Sequence, residues 1–139
     1  RLNAGAAAGR AMRVLAALDA RMDEVYWADY AWDDAAGDWR ELAPASLAAP
    51  ADVQVPDTPF VLAGNAAAAF GARLPACARA QAIDAGALPH ALPVAHVALR
   101  AYRAGRVVPA DRAAPEYVRD KVAQTTAERL AARAGGDGR

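Results

Sequence analysis

RVLAALDARMDEVYWADYAW, residues 13–32, decides how the rest of the chain is read. Val14 to Leu18 is a continuous apolar run closed by an acid, Asp19. Such a run suits a strand covered on both faces. Glu24 to Trp32 is dense in aromatic and β-branched residues, which fit a pleated surface and predict a second strand. Only Ala20 to Asp23 separates the runs. Four residues are too few for a crossover, so the strands are expected to pair antiparallel. Alternation sends Val25, Trp27 and Ala31 to one side and Tyr26, Ala28, Tyr30 and Trp32 to the other. Both sides are largely apolar, which places the hairpin at the centre of a sheet with helices packed on it.

Outward from the hairpin, Asp33 to Asp38 is a polar turn with Gly37, and Trp39 to Leu42 begins a third, shorter strand that completes a meander. Pro44, Pro50, Pro56 and Pro59 interrupt the next segment and leave room for a short helix around Ser46–Ala49. Pro59 to Ala63 reads as a brief strand, turned by Gly64-Asn65 into an Ala-rich helix over Ala66–Phe70. Arg79 to Asp84 reads as a fifth, weaker strand. From Ala91 to Ala104, Leu92, Ala95, Leu99 and Tyr102 recur at i, i+3, i+7 and i+10, the period of a helix with one apolar face. Pro93 suits its first turn, Gly105 its end, and Arg100 and Arg103 the negative pole of its dipole. Val107 to Glu116 is expected to be extended, and Val118 to Ala134 to form a last helix. Residues 1–12 read as the tail of a helix, 13–134 as one lobe, and 135–139 as a frayed end. The class is α/β, with a mixed sheet of about five strands. Its order, an antiparallel meander followed by helices and strands, is that of a ribonuclease-H-like domain.

The 139 residues suffice for one domain with its own core. Sixteen basic residues balance sixteen acids, so net charge gives no signal for nucleic acid. Lys121 is the only lysine, and the Arg and Ala excess reads as codon bias. Cys77 stands alone, which excludes an intrachain disulfide and a thiolate zinc site. No apolar run approaches the roughly 20 residues that cross a bilayer, so a cytoplasmic, membrane-free domain is expected. The start at Arg1 suggests a piece of a longer protein.

Residues that carry chemistry are sparse. Asp19 closes a buried strand where related ATP-binding domains place an acid before a phosphate-cradling turn. Here Asp23 and Glu24 add negative charge, and no glycine opens the turn, so a structural Asp19–Arg21 pair or a partner-facing turn is the better reading. Gly64-Asn65 reads first as a turn needing positive φ and second as a nucleoside approach. His90 and His96 are six apart, not the spacing of two ligands on one helix face. Ser46 sits in no nucleophile elbow, and Cys77 has no histidine beside it in sequence. Asp33, Asp34 and Asp38 read as a solvated loop, Arg100, Arg103, Arg106 and Arg112 as a solvated face, and Trp27, Trp32 and Trp39 mainly as sheet packing. No catalytic residue, metal ligand or cofactor-binding residue is assigned from this inventory.

The hairpin supports a resemblance. Asp19-Ala20-Arg21-Met22-x-Glu24-Val25-Tyr26-Trp27-Ala28 is similar to the motif in the C-terminal half of the TsaB (YeaZ) family of bacterial tRNA-modification proteins, with Asp23 where the family has glycine. Pro115-Glu116-Tyr117-Val118-Arg119 resembles that family's P-x-Y-[LV]-R. The resemblance implies one of two ribonuclease-H-like lobes of the actin and sugar-kinase superfamily. Residues 1–12 are then the tail of an interlobe helix, 13–134 are the C-terminal lobe, and a first lobe precedes Arg1. It further implies a non-catalytic partner of a TsaD-type subunit and a TsaE-type ATPase. That complex moves threonylcarbamoyl onto the adenosine beside the tRNA anticodon, so tRNA is met only indirectly. The alternative is a glycoprotease-like peptidase or a nucleotide-hydrolysing lobe. Asp19, Arg21, Glu24, Tyr26, Tyr117 and Arg119 carry the motif over, in structural or partner-facing roles, with Tyr117 and Arg119 expected to pack on the hairpin. A surface meeting the first lobe is expected to be apolar and to allow a homodimer.

Overall fold

The computed structural model describes residues 12–119. The expected interlobe-helix tail, most of the last helix and the frayed end lie outside those residues. The order of elements is β1 (Arg13–Asp19), β2 (Val25–Asp33), β3 (Asp38–Ala48), β4 (Val61–Ala63), α1 (Ala66–Phe70), α2 (Ala76–Arg79), β5 (Ala82–Asp84) and α3 (Ala91–Arg103). Single 3₁₀ turns at Pro50–Asp52, Gly71–Arg73 and Ala110–Arg112 join them.

The five strands form one mixed sheet in the order β3-β2-β1-β4-β5. β1 pairs antiparallel with β2, from Arg13 opposite Ala31 to Asp19 opposite Val25, and parallel with β4. β4 pairs parallel with β5. The uninterrupted apolar run of β1 is therefore the middle strand, hydrogen-bonded on both edges, as its sequence requires.

One face of the sheet holds the core. Leu15 and Ala17 of β1, Val25 and Trp27 of β2 and Leu62 of β4 meet Val53, Phe60, Ala66, Leu74 and Ala76. Leu15, Leu62, Leu74 and Val25 are fully buried, each contributing roughly 1.5–3 kcal/mol. Val14, Ala28 and Ala63 are buried on the opposite face. No helix among the described residues is long and apolar enough to cross a membrane.

The expectations for β5 and β3 need correction: β5 is confined to Ala82–Asp84, with Arg79 closing α2. β3 is not a short strand over Trp39–Leu42: it runs eleven residues, through Pro44, and Ser46–Ala49 is strand to Ala48 and not helix. Proline is tolerated because β3 is an edge strand and because the pairing slips between Trp27 and Asp29, opposite Pro44. The helix α3 forms where expected, over Ala91–Arg103. Its stripe of Leu92, Ala95, Leu99 and Tyr102 is exposed, and only Arg100 and Ala101, near its end, are half-buried. Periodicity identified the helix and its apolar side but not which side docks.

Candidate functional site: the hairpin turn and its arginine latch

The turn between β1 and β2 is built from three consecutive residues in the left-handed region, Arg21 (φ 65°), Met22 (φ 56°) and Asp23 (φ 64°). Left-handed backbone is costly for residues with a Cβ, so such a turn persists only where its surroundings fix it. Here they do. The Ala20 amide donates to the Glu24 carbonyl (2.9 Å) and the Glu24 amide to the Arg21 carbonyl (3.1 Å). Asp19 Oδ1 accepts from the Arg21 backbone amide at 2.9 Å. The Asp19–Arg21 pairing is thus carboxylate to backbone, an Asx-type turn. The Asp19 amide in turn donates to Asn65 Oδ1 at 2.9 Å, tying the turn to the start of α1.

The three acids of the turn each have a partner within the chain. Asp23 forms a two-pronged ion pair with Arg73, whose guanidinium holds the Asp23 carboxyl below its ordinary range. Asp23 stands where the resembled family has glycine, and its φ is one that glycine adopts freely and aspartate tolerates better than most residues. Glu24 Oε2 lies 2.8 Å from Arg119 Nη2.

Arg119 is the residue that closes the site. Its side chain is only 10% exposed although it lies 95 positions along the chain from Glu24. Nη2 also donates to the Ala20 carbonyl at 3.0 Å, Nη1 reaches Met22 Sδ at 2.7 Å, and the guanidinium carbon lies 5.8 Å from the Tyr26 ring centre. One planar fork therefore joins the turn, the β2 side chain below it and the C-terminal segment. Arg119, Glu24 and Tyr26 come together. Asp19 and Arg21 shape the turn, and Tyr117 lines the same groove while remaining 78% exposed. The groove, about 670 Å³, runs between Arg21–Met22 and Glu116–Arg119 over Leu18 and Tyr26. Replacing Arg119 by Ala is expected to lower stability by about 2 kcal/mol, since Glu24 and the Ala20 carbonyl lose their donor. A thermal melt should fall by about 6–10 °C, and an unchanged melt would remove Arg119 from this role.

The remaining candidates are placed as follows. Gly64 has φ 120°, as the turn reading requires, and donates its amide to the Asp84 carbonyl at 2.9 Å. His90 and His96 are exposed. Among the described residues no three His, Cys, Asp or Glu side chains group to hold a cation. The three tryptophans divide between two places: Trp27 is in the core, while Trp32 and Trp39, paired across β2 and β3, stack edge to face at 5.4 Å.

Two features were not foreseen. Asp38, read as solvated loop, begins β3 and is half-buried. Its carboxyl lies below its ordinary range, chiefly because Oδ1 accepts from the Trp39 amide (2.9 Å), then through Arg100 at 3.0 Å and Arg106 at 3.2 Å. This clasp fastens the end of α3 to the β2–β3 hairpin. A depressed carboxyl stabilises the fold fully above its unfolded value, near about 4, and progressively less as pH falls through the lower folded value. Trp39 fluorescence is therefore expected to change on acidification below about pH 4 and to lose that response in Asp38→Asn. The second feature, an Arg13–Asp29 pair on the core face, had no sequence signal beyond a charge at each position.

The sheet order and the hairpin-first topology define a ribonuclease-H-like lobe of the actin-like ATPase fold. No family model and no curated relative matches the chain. Solved structures do. A Pseudomonas aeruginosa protein described as similar to the peptidase YeaZ is 37% identical, with a TM-score of 0.68 over 78% of this chain and 50% of its own. YeaZ from Pseudomonas aeruginosa is 38% identical, with a TM-score of 0.67 over 77% of this chain and 50% of its own. The chain is similar to YeaZ (TsaB) in sequence and fold, and it spans about half the length of the solved structures it matches.

Proposed function

We propose that this chain is a non-catalytic lobe of a TsaB-type scaffold subunit. It supports a TsaD-type subunit and a TsaE-type ATPase in transferring threonylcarbamoyl to the adenosine beside the tRNA anticodon. One observation carries the reading: where phosphate-binding relatives of this fold present an open turn, every acid of this turn is engaged inside the chain. Asp19 meets the Arg21 amide, Asp23 meets Arg73 and Glu24 meets Arg119. The turn is thereby closed as structure, and the reacting groups belong to the partner.

A peptidase or nucleotide-hydrolase reading has less support. Burial pushes the Cys77 thiol up, away from thiolate chemistry, and the Ser46 hydroxyl donates to the Pro44 carbonyl at 3.0 Å. The test is co-purification of the whole protein with its TsaD-type partner, together with a fluorescent-ATP titration of this chain alone. A stable complex and no saturable nucleotide binding are expected. Micromolar nucleotide binding, or peptide cleavage by the purified chain, would overturn the proposal.

A further inference from the structure

The outward side of α3 carries an unassigned surface. Leu92 (68% exposed), Leu99 (45%) and Tyr102 (71%) lie in one stripe with Ala95, while the helix is fastened from its other side through Arg100 and Ala101. An apolar stripe at helical period that points into water marks an interaction site. Its edges differ: Ala91 and Ala98 flank one side, His96 and Arg103 the other. Neither α3 nor any residue between Asp84 and Asp111 is an acid. Arg100 and Arg106 share the single carboxylate of Asp38, and Arg103 has no ion-pair partner among the described residues. Arg103 is therefore the one charged side chain along the edge of the stripe, and its charge is positive.

We propose that this stripe docks an amphipathic helix of another protein whose apolar face is edged by Asp or Glu. Leucines at i, i+3, i+4 and i+7 would seat between Leu92, Leu99 and Tyr102, and the acidic edge would lie along His96 and Arg103. A second copy of this chain fits worse. It brings no carboxylate to Arg103, and an antiparallel pair sets Arg103 against the positive N-terminal end of the other α3. The inference goes beyond the assembly proposed above and is tested without it.

The probes are two synthetic helical peptides with the same leucine spacing, one edged by glutamates and one by lysines, titrated into the chain by fluorescence anisotropy. The glutamate peptide is expected to bind about tenfold tighter than the lysine peptide, with the gap narrowing at high salt. Arg103→Glu should reverse the order, and Leu99→Glu, at a solvent-facing position, should abolish both. Leu92→Ser provides a second, milder variant, expected to weaken both peptides with an unchanged melt. Equal affinities, or no binding by either peptide, overturn the proposal. So does concentration-dependent dimerisation that Leu99→Glu removes, or binding to anionic vesicles in preference to the peptides.

Discussion

Gly64→Ala is expected to destabilise the chain by about 3 kcal/mol or more, enough to unfold much of the population of a domain of ordinary stability. A Cβ at this position would lie 2.1 Å from the Ala17 carbonyl oxygen and 2.9 Å from its carbon, both backbone atoms of the central strand. Neither can swing aside as a side chain would. The backbone also holds φ at 120°, which side-chain-bearing residues rarely adopt. Relief would require β4 to separate from β1, breaking the pairing of Leu15 with Leu62 and Ala16 with Ala63. Urea unfolding followed by tryptophan fluorescence measures the effect. A loss under about 1 kcal/mol would mean that the two strands are not this close.

Arg13→Ala is expected to cost about 3–5 kcal/mol, because it leaves a buried carboxylate without its counter-charge. Asp29 is one of the core-facing residues of β2, and its side chain is 8% exposed. Arg13 grips it with Nη2 at 2.7 Å and Nε at 3.1 Å from each oxygen, and extends Nη1 to Thr58 Oγ1 (2.7 Å) and Asp57 (3.2 Å). Those bonds, to Asp29 first, raise the Arg13 pKa above its ordinary value. Because the cost is that of an orphaned charge, Arg13→Met combined with Asp29→Leu should recover most of it. A double variant no more stable than Arg13→Ala would show that the loss lies in packing and not in the unpaired carboxylate.

The two substitutions differ in how far the sequence discloses them. Gly64 is legible because a glycine between a short apolar strand and an alanine run has few other uses. The glycine-sized gap itself, set by a strand nearly fifty residues earlier, is not. Arg13–Asp29 is legible in neither residue. The same division runs through the site. The hairpin, its turn and the strand alternation follow from residues within about ten positions of one another, as does the existence of α3. The Glu24–Arg119 bond, by contrast, spans almost the whole described chain.

By itself, then, the sequence determined the β1–β2 pair, the mixed sheet around it and the family to which its motif is similar. Hydrophobic period and turn length act over short distances, and each constrains one element. Tertiary structure alone decided that Arg119 locks a left-handed turn, that Asp38 fastens α3 with two arginines, and that the apolar stripe of α3 faces water. Those outcomes depend on which elements meet. Contacts between residues far apart in sequence leave no periodic trace in it.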